Sequence, residues 1–272
     1  GQYTRNECYF DNNLEMKAKG LPNGEVKSIL QKLWGKYGSS FVPKTTLRKP
    51  VGAPGQGQSL ENNIKIANAL LDSAGWEMGA DGIRSKNGNR MTIKLVLSSP
   101  LFQRIVEPYK NNLKKIGVKL DIKVVQIAKY EEILRNFNFD MIVANYPQSR
   151  SPGNEQRSMW STEAESTPGS RNYMGIKNPA VDDLINTIVE AKSRIKLINS
   201  IQAMDRILTH QFYIVPNWYI PYDRIVYWNK FSHPKINASQ SIIINNILEW
   251  WWLDENKATA LKKARASGSS LQ

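Results

Sequence analysis

The sequence predicts an α/β fold, because its middle third alternates between strand-like and helix-like patterns. Apolar residues alternate with polar ones over residues 91–97 and again over 118–124, and apolar residues recur at helical spacing over about 101–116 between them. Alternation at every second residue indicates a strand, and a spacing of three or four residues indicates a helix. A strand, a helix and a second strand form a βαβ unit, which builds a parallel sheet covered by helices.

Further helices are predicted on both sides of this unit. Residues 61–74 carry an amphipathic stripe that ends at Gly75, where a left-handed cap is expected, and residues 126–137 carry a second stripe. An apolar strand then begins at Phe139. Asn178 and Pro179 suit the N-cap and the first position of a helix, and another helix follows through Ile201, Met204 and Leu208. The pattern is therefore a mixed sheet flanked by helices.

Composition excludes several classes of protein. A chain of 272 residues with 41% hydrophobic content can bury one large core or two modest ones, and no apolar run reaches the roughly 18–20 residues that cross a bilayer. The net charge is +13, yet the lysines are scattered singly, so a nucleic-acid partner is not indicated. Cys8 is the single cysteine and cannot form an internal disulfide. The chain begins without a Met or a signal pattern, which indicates processing or a boundary inside a longer protein.

No cofactor or metal is expected from the motifs. His210 and His233 have no Cys, Asp or Glu at metal-ligand spacing, and the sequence contains no Gly-x-Ser-x-Gly, Gly-x-Gly-x-x-Gly or Walker motif. Paired carboxylates occur at Glu131–Glu132, Asp182–Asp183 and Glu163/Glu165. The first two pairs are expected on exposed helix faces, where solvated or capping roles suffice. Catalysis by carboxylates is therefore possible, but no motif in the sequence indicates it.

The polar loop, residues 148–176, is the strongest functional feature. It reads QSRSPGNEQRSMWSTEAESTPGSRNYMGI, shows no apolar periodicity and is expected to lack secondary structure of its own. Loops of this length in compact domains are usually binding loops or disordered, and this one leaves the end of a predicted strand, where open α/β sheets bind ligands. The candidate ligand-binding residues, in and around the loop, are Tyr146, Gln148, Arg150, Asn154, Glu155, Arg157, Trp160, Arg171, Asn172, Tyr173 and Trp218.

These residue types suit the binding of a polar ligand. Arginine, asparagine and glutamine make charge-assisted and neutral hydrogen bonds, and aromatic rings form apolar walls. Two uses compete for them: the polar side chains can contact a ligand or satisfy the backbone of the loop itself, and the aromatic rings can stack on a ligand or pack in the core.

Several segments resemble the family 5 extracellular solute-binding proteins of ABC importers. The resemblance is carried by ALLDSAGW, NFDMIVANYPQSRSPGNEQRSMW, PGSRNYMGIKNPAVDDLI and VPNWYIPYDRIVYWNKF, and it covers residues from about 1 to 260. The SPGNEQR and PGSRN motifs and the Trp-rich C-terminal part are most similar to the YejA-like branch, which is linked to uptake of peptides and peptide-like microcin C.

This resemblance implies a monomeric, two-lobed periplasmic protein with a periplasmic-binding-protein type II lobe. Such a protein closes on a peptide or peptide-like ligand and delivers it to the transmembrane subunits of a permease. The chain would be a C-terminal fragment of it. Residues 1–60 would be an irregular segment packed on or between lobes, 61–225 the α/β ligand-binding lobe, and 226–272 a returning strand and tail directed toward the other lobe.

One departure from the family pattern concerns the charge of the ligand. Oligopeptide-binding relatives often carry an Asp after the corresponding strand, which pairs with the ammonium group of the peptide, whereas this chain reads NYPQSRSPGNE. Either Glu155 supplies the anion, or the ligand is not held by a free amino terminus. Arg150, Arg157 and Arg171 suit anionic groups of a ligand.

Two other functions stay open from the residues alone. A peptidoglycan- or carbohydrate-processing enzyme could use Glu155 with a second carboxylate, and the basic composition is compatible with a nucleic-acid-binding domain. Hydrolysis of a murein peptide or glycan would distinguish the first, and a steep salt dependence of DNA affinity the second.

Overall fold

The computed structural model describes residues 4–13, 15–49, 59–220, 225–234 and 247–270, with the backbone alone at 247 and 248. The chain divides into two compact units: a larger unit, Arg5–Tyr219, and a smaller unit, Ile220–Gln272 together with Gly1–Thr4. The glycine-rich stretch 50–58 lies outside the described residues. The predicted division into 1–60, 61–225 and 226–272 in a two-lobed protein stays a prediction.

The described helices and strands follow in chain order. The helices are α1 (Gly24–Tyr37), α2 (Leu60–Ser73), α3 (Pro100–Lys114), α4 (Ile127–Arg135), α5 (Glu155–Trp160), α6 (Pro179–Val189), α7 (Arg194–His210), α8 (Ile247–Trp250) and α9 (Glu255–Ser267). The strands are β1 (Thr4–Arg5), β2 (Glu77–Met78), β3 (Arg84–Lys86), β4 (Asn89–Arg90), β5 (Thr92–Leu97), β6 (Lys119–Val124), β7 (Met141–Ile142), β8 (Trp218–Tyr219), β9 (Phe231–Ser232) and β10 (Trp252–Leu253).

The predicted βαβ unit is confirmed as β5–α3–β6. Strand β5 runs parallel to β6, from the pair Thr92–Lys119 to the pair Leu97–Val124, and parallel to β7 on its other side. Strand β7 is shorter than the sequence predicted, and the carboxylate of Asp140 accepts the amide of Lys94 at 2.9 Å just before it begins. The order β6–β5–β7 brings the carboxyl ends of parallel strands to one edge.

Helix α2 confirms the predicted helix, but none of its residues is buried. It is connected to the neighbouring strands by the buried guanidinium of Arg84, which donates to Asn68 at 2.9 Å and to Asp72 at 2.5 Å. Arg84 also donates to the carbonyl of Ile116 at 2.9 Å, just before β6. Polar contacts of Arg84 therefore hold α2 beside the short β2–β3–β4 sheet.

The prediction that residues 1–60 are irregular is wrong for the stretch that forms α1. Val26, Leu30 and Leu33 lie on one face of this helix and are buried in the same cluster as α6 and α7. The side chains of Lys36 and Tyr37 reach the carboxylate of Asp183 on α6, at 2.8 and 2.7 Å. The Gly and Pro residues on both sides of α1 made the whole segment look irregular in the sequence. The helix is stabilised by its contacts with these distant partners.

Helices α6 and α7 form the centre of this helical core, and both were predicted. The side chain of Asn178 caps α6 by accepting the amide of Ala180 at 3.0 Å. Ile201, Met204 and Leu208 of α7 are fully buried. At the ends of the unit, the amide of Asn6 donates to the carbonyl of Asn217 at 3.0 Å.

The smaller unit contains an antiparallel pair, β9 and β10, followed by α9. Asp254 caps α9 by accepting the amide of Lys257 at 3.1 Å, and it accepts the hydroxyl of Ser232 at 2.8 Å. The ring of Trp251 lies 4.5 Å from that of Tyr227 and 4.9 Å from that of His233, between ring centroids. No helix in the described parts of the chain is long and apolar enough to cross a membrane.

Candidate functional site

The polar loop begins just beyond β7, at the edge of the sheet where the parallel strands end. Arg171, near the far end of the loop, returns to this edge: its guanidinium donates to the carbonyl of Asn145 and lies 5.5 Å from the ring centroid of Tyr146. The hydroxyl of Tyr146 in turn donates to the carbonyl of Arg171 at 3.2 Å. These contacts close the loop at its base.

The loop contains secondary structure, which corrects the prediction that it has none. Helix α5 places Gln156, Met159 and Trp160 on its buried side, and a single 3-10 turn follows at Glu163–Glu165. A helix of this length spans less than two turns, so its apolar spacing is too short to appear as periodicity in the sequence.

A chain of buried hydrogen bonds fixes the first half of the loop. The indole of Trp160 donates to Gln156 at 2.7 Å, and the amide of Gln156 donates to the side chain of Gln148 at 2.8 Å. The carbonyl of Gln148 accepts from the side chain of Asn12 at 3.1 Å. Because Trp160 is fully buried and Gln148 nearly so, these two candidates support the loop from inside.

Asn172 fixes the second half of the loop. It is fully buried, donates to the carbonyls of Ser161 at 3.0 Å and Ile176 at 2.9 Å, and accepts the amide of Ile176 at 2.9 Å. Its side-chain nitrogen and oxygen are therefore both used within the loop.

Aromatic rings line the underside of the loop. Tyr146 lies 4.9 Å from Trp160 and 6.3 Å from Tyr173, and Tyr173 lies 6.3 Å from Phe139, all between ring centroids. Burial raises the pKa of Tyr146 above its ordinary value, so its hydroxyl stays protonated and donates to Arg171. Tyr173 is partly exposed and lies beside Tyr146, the ring over which Arg171 lies.

The exposed rim carries the charged candidates. Arg157 donates to Asn154 at 3.1 Å and to Asn186 of α6 at 2.9 Å, so its guanidinium is oriented at the surface. The carboxylate of Glu155 accepts the amide of Gly153 at 2.9 Å. Arg150 is exposed, and its carbonyl accepts from Arg194 at 2.7 Å. Trp218 lies in β8, and 39% of its surface is exposed.

The sequence did not identify the residues that anchor the N-terminal segment beneath the loop. Asp205 on α7 is fully buried and accepts the amides of Tyr9 and Ala18, each at 2.9 Å. Burial raises the pKa of Asp205 to about 6. Its neighbour Arg206 is also buried and donates to the carbonyl of Arg48 at 2.9 Å. The sequence did carry one sign of this role: Asp205 and Arg206 are adjacent charged residues within the apolar pattern of α7, where charged side chains are buried only when they have partners.

Metal ligation has no candidate in this region. Among the residues that the structure describes, no group of three or more His, Cys, Asp or Glu side chains is placed to hold a metal ion. His210, at the end of α7, is buried, and burial lowers its pKa to about 4. Its neutral ring belongs to the helical core.

A family profile matches the chain over residues 26–168 and is described as bacterial extracellular solute-binding proteins, family 5 Middle. A probable peptide-binding protein, YejA, from Agrobacterium fabrum is 33% identical over 236 residues, which are 86% of this chain and 38% of the relative. The peptidoglycan-binding protein YepA of the same organism is 30% identical over 189 residues, which are 70% of this chain and 30% of the relative.

The fold is similar to that of the oligopeptide-binding protein AppA from Bacillus subtilis, solved in complex with a nonapeptide. The TM-score is 0.56 at 19% identity, and the match covers 84% of this chain and 47% of AppA. The chain spans less than half the length of the curated relatives and of the solved structure that it matches.

Proposed function

Because the chain belongs to family 5 of the bacterial extracellular solute-binding proteins, we propose that it is part of the substrate-binding component of an ABC importer. The complete protein captures a peptide or peptide-like solute in the periplasm and delivers it to the transmembrane subunits of the permease. The observation that carries this proposal is the polar loop, which follows β7 at the carboxyl edge of a parallel sheet, is braced from inside and carries the exposed charged side chain of Arg157.

The proposed ligand contacts come from the exposed rim of the loop. Arg157, Asn154 and Glu155 present oriented polar groups. Arg171 presents a cation over the ring of Tyr146, and the partly exposed Tyr173 lies beside that ring. Gln148, Trp160 and Asn172 act by holding the loop in shape, because their polar atoms are buried and bonded within it. Arg150, which is exposed in the loop, and Trp218 of β8 complete the proposed set.

The charges of the rim favour a ligand with anionic groups. Arg150, Arg157 and Arg171 lie in or beside the loop, whereas the carboxylate of Glu155 already accepts the amide of Gly153. Arginine binds carboxylates through two parallel N–H groups. A peptide with acidic side chains or an exposed carboxyl terminus fits this arrangement better than one recognised only by its ammonium group.

The proposed role is binding without catalysis, in a monomer. Support comes from membership of a solute-binding family and from the names of relatives, which describe peptide binding and peptidoglycan binding. The enzyme alternative relied on Glu155, whose carboxylate serves in the structure as an acceptor for the turn that begins α5.

Native mass spectrometry of the complete protein, incubated with a mixture of synthetic di- to nonapeptides, tests the proposal. We expect a retained peptide, and we expect Arg157→Ala to reduce its retention at least tenfold. The exposed Lys114, in the last turn of α3, supplies the control, because Lys114→Ala removes the same charge away from the loop. Retention that is equal in both variants would place the ligand elsewhere, and hydrolysis of the peptides would favour an enzyme.

A further inference from the structure

We propose that a groove in the smaller unit binds a phosphate ester with a flat apolar body. The groove has a volume of about 320 Å³ and is lined by Trp228, Lys230, Ala258, Leu261, Lys262 and Arg265. This volume lies at the lower end of the roughly 300–1,000 Å³ of small-molecule sites. The proposal concerns a site distinct from the polar loop and does not depend on peptide binding there.

One wall of the groove is a single face of α9. Ala258, Leu261, Lys262 and Arg265 are spaced by three, one and three residues, which places them on the same side of the helix. The face therefore combines a small residue and a leucine at one end with two cations toward the other.

The opposite wall is held in place by backbone contacts. Trp228 and Lys230 lie just before β9, and the carbonyl of Lys230 accepts the amide of Asp254, the N-cap of α9, at 2.9 Å. The ammonium group of Lys257, in the first turn of α9, donates to the carbonyl of Phe231 at 3.3 Å. The two walls are thus connected at one end.

The charge of the groove calls for an anion. Within the described residues, its lining contains the three cations Lys230, Lys262 and Arg265 and no carboxylate, and none of these cations is in an ion pair. A phosphate monoester carries a charge of about −1.5 to −2 at neutral pH and three acceptor oxygens, so it complements three cations better than a single carboxylate does.

The apolar part of the groove favours an anion that carries a flat apolar group. The ring of Trp228 is 59% exposed, and the guanidinium of Arg265 lies 5.1 Å from its centroid. Leu261 and Ala258 face the same space. A ligand that stacks on the indole while its phosphate reaches Arg265 would use both parts of the groove. A soluble phosphate ester and a phospholipid headgroup share the phosphate group that would reach Arg265.

Calorimetry on the 272-residue chain with 1-naphthyl phosphate, 1-naphthol and inorganic phosphate tests the site. We expect the naphthyl phosphate to bind at least tenfold more tightly than either of the other two compounds. Arg265→Gln should weaken its binding by about tenfold, the effect of losing one hydrogen bond to a charged group. Lys262→Gln should also weaken it. Thermal unfolding of each variant verifies that it is folded.

Lys263→Gln is the matched control, because Lys263 is exposed on α9, carries the same charge and does not line the groove. Equal weakening by Lys263→Gln, or equal binding of naphthol, would overturn the proposal. Cosedimentation with phosphatidic acid vesicles separates the two sources: sedimentation that Arg265→Gln abolishes identifies a lipid headgroup, and its absence with intact naphthyl phosphate binding identifies a soluble ester. The proposal is also overturned if neither 1-naphthyl phosphate nor the phosphatidic acid vesicles bind.

Discussion

The two apolar clusters of the larger unit are built differently, and the polar loop depends on the helical one. The sheet cluster contains the buried residues Leu95, Leu97, Val106 and Leu120, with partly buried residues around them. The helical cluster joins α1, α6 and α7 to Trp160 and Ile176 of the loop, and many of its side chains are fully buried. The sheet places the loop at its edge, whereas the helices hold it in shape.

The same contrast appears between α7 and α2. Both helices carry apolar residues at helical spacing, yet α7 is buried from Ser200 through His210 apart from Gln202, and α2 buries none of its residues. Amphipathic spacing shows which face of a helix can be buried; the amount buried depends on what the rest of the chain brings against that face.

The largest expected loss of stability comes from truncating a side chain in the helical core. Met204→Ala should lower the free energy of unfolding by about 2–5 kcal/mol, because it leaves a cavity at a fully buried position. Leu70→Ala on α2, where the side chain is 64% exposed, should change it by less than about 0.5 kcal/mol. Urea unfolding of both variants measures the difference. Similar losses in the two variants would show that α2 is packed as firmly as α7.

Asn172→Ala should loosen the loop while leaving the sheet intact. It removes three hydrogen bonds and leaves the partly buried carbonyl of Ser161 and two buried backbone groups of Ile176 without their partner, at about 1–3 kcal/mol for each buried unsatisfied group. Hydrogen exchange should become faster in residues 161–176 but not in β5. Asn111→Ala, at an exposed position of α3, is the control. Unchanged exchange in the loop would contradict its proposed bracing by Asn172.

The pH dependence of stability should change sign between two core variants. Burial raises the pKa of Asp205 from 3.8 to about 6, so its contribution to stability is complete below pH 3.8 and is lost as the pH rises through 6. Burial lowers the pKa of His210 from 6.5 to about 4, so its contribution is complete above pH 6.5 and is lost as the pH falls toward 4. Cys8, Asp11 and Arg206 face Asp205, and Arg48 and Arg206 face His210.

These two contributions oppose each other in the unmodified chain. In His210→Gln, lowering the pH from 7 to 5 should therefore raise the free energy of unfolding by about 1–2 kcal/mol through Asp205. In Asp205→Asn, the same change should lower it through His210. Thermal unfolding at both pH values decides the signs. Identical slopes in the two variants would show that neither group titrates in the core as described.

The smallest expected effects are the losses of stability on removing the N-caps of α6 and α2. Asn178→Ala should destabilise the larger unit by about 1–2 kcal/mol, since the buried side chain caps α6 and also donates to the carbonyl of Phe41 at 2.9 Å. Ser59→Ala removes the cap of α2, where Ser59 accepts the amide of Asn62 at 3.1 Å, and should cost only a few tenths of a kcal/mol globally. Chemical denaturation of both variants makes the comparison. An equal cost would mean that α2 unfolds together with the core.

The sequence by itself determined the features that depend on neighbouring residues. The βαβ unit, the capped start of α6, the stripe of α7 and the position of the polar loop after a strand all follow from local spacing and capping chemistry. Membership of the family also follows from the residues, through motifs that stand close together in the chain.

Only the tertiary structure decided which candidate residues are buried and which are presented. Gln148 meets Asn12 across 136 residues, and Asp205 meets the amide of Tyr9 across 196 residues. Helix α1 is stable because distant helices cover its apolar face, whereas the described chain covers the apolar face of α2 only in part and leaves it half-buried. A local pattern states what a side chain can do; the partner that satisfies or buries it comes from elsewhere in the chain.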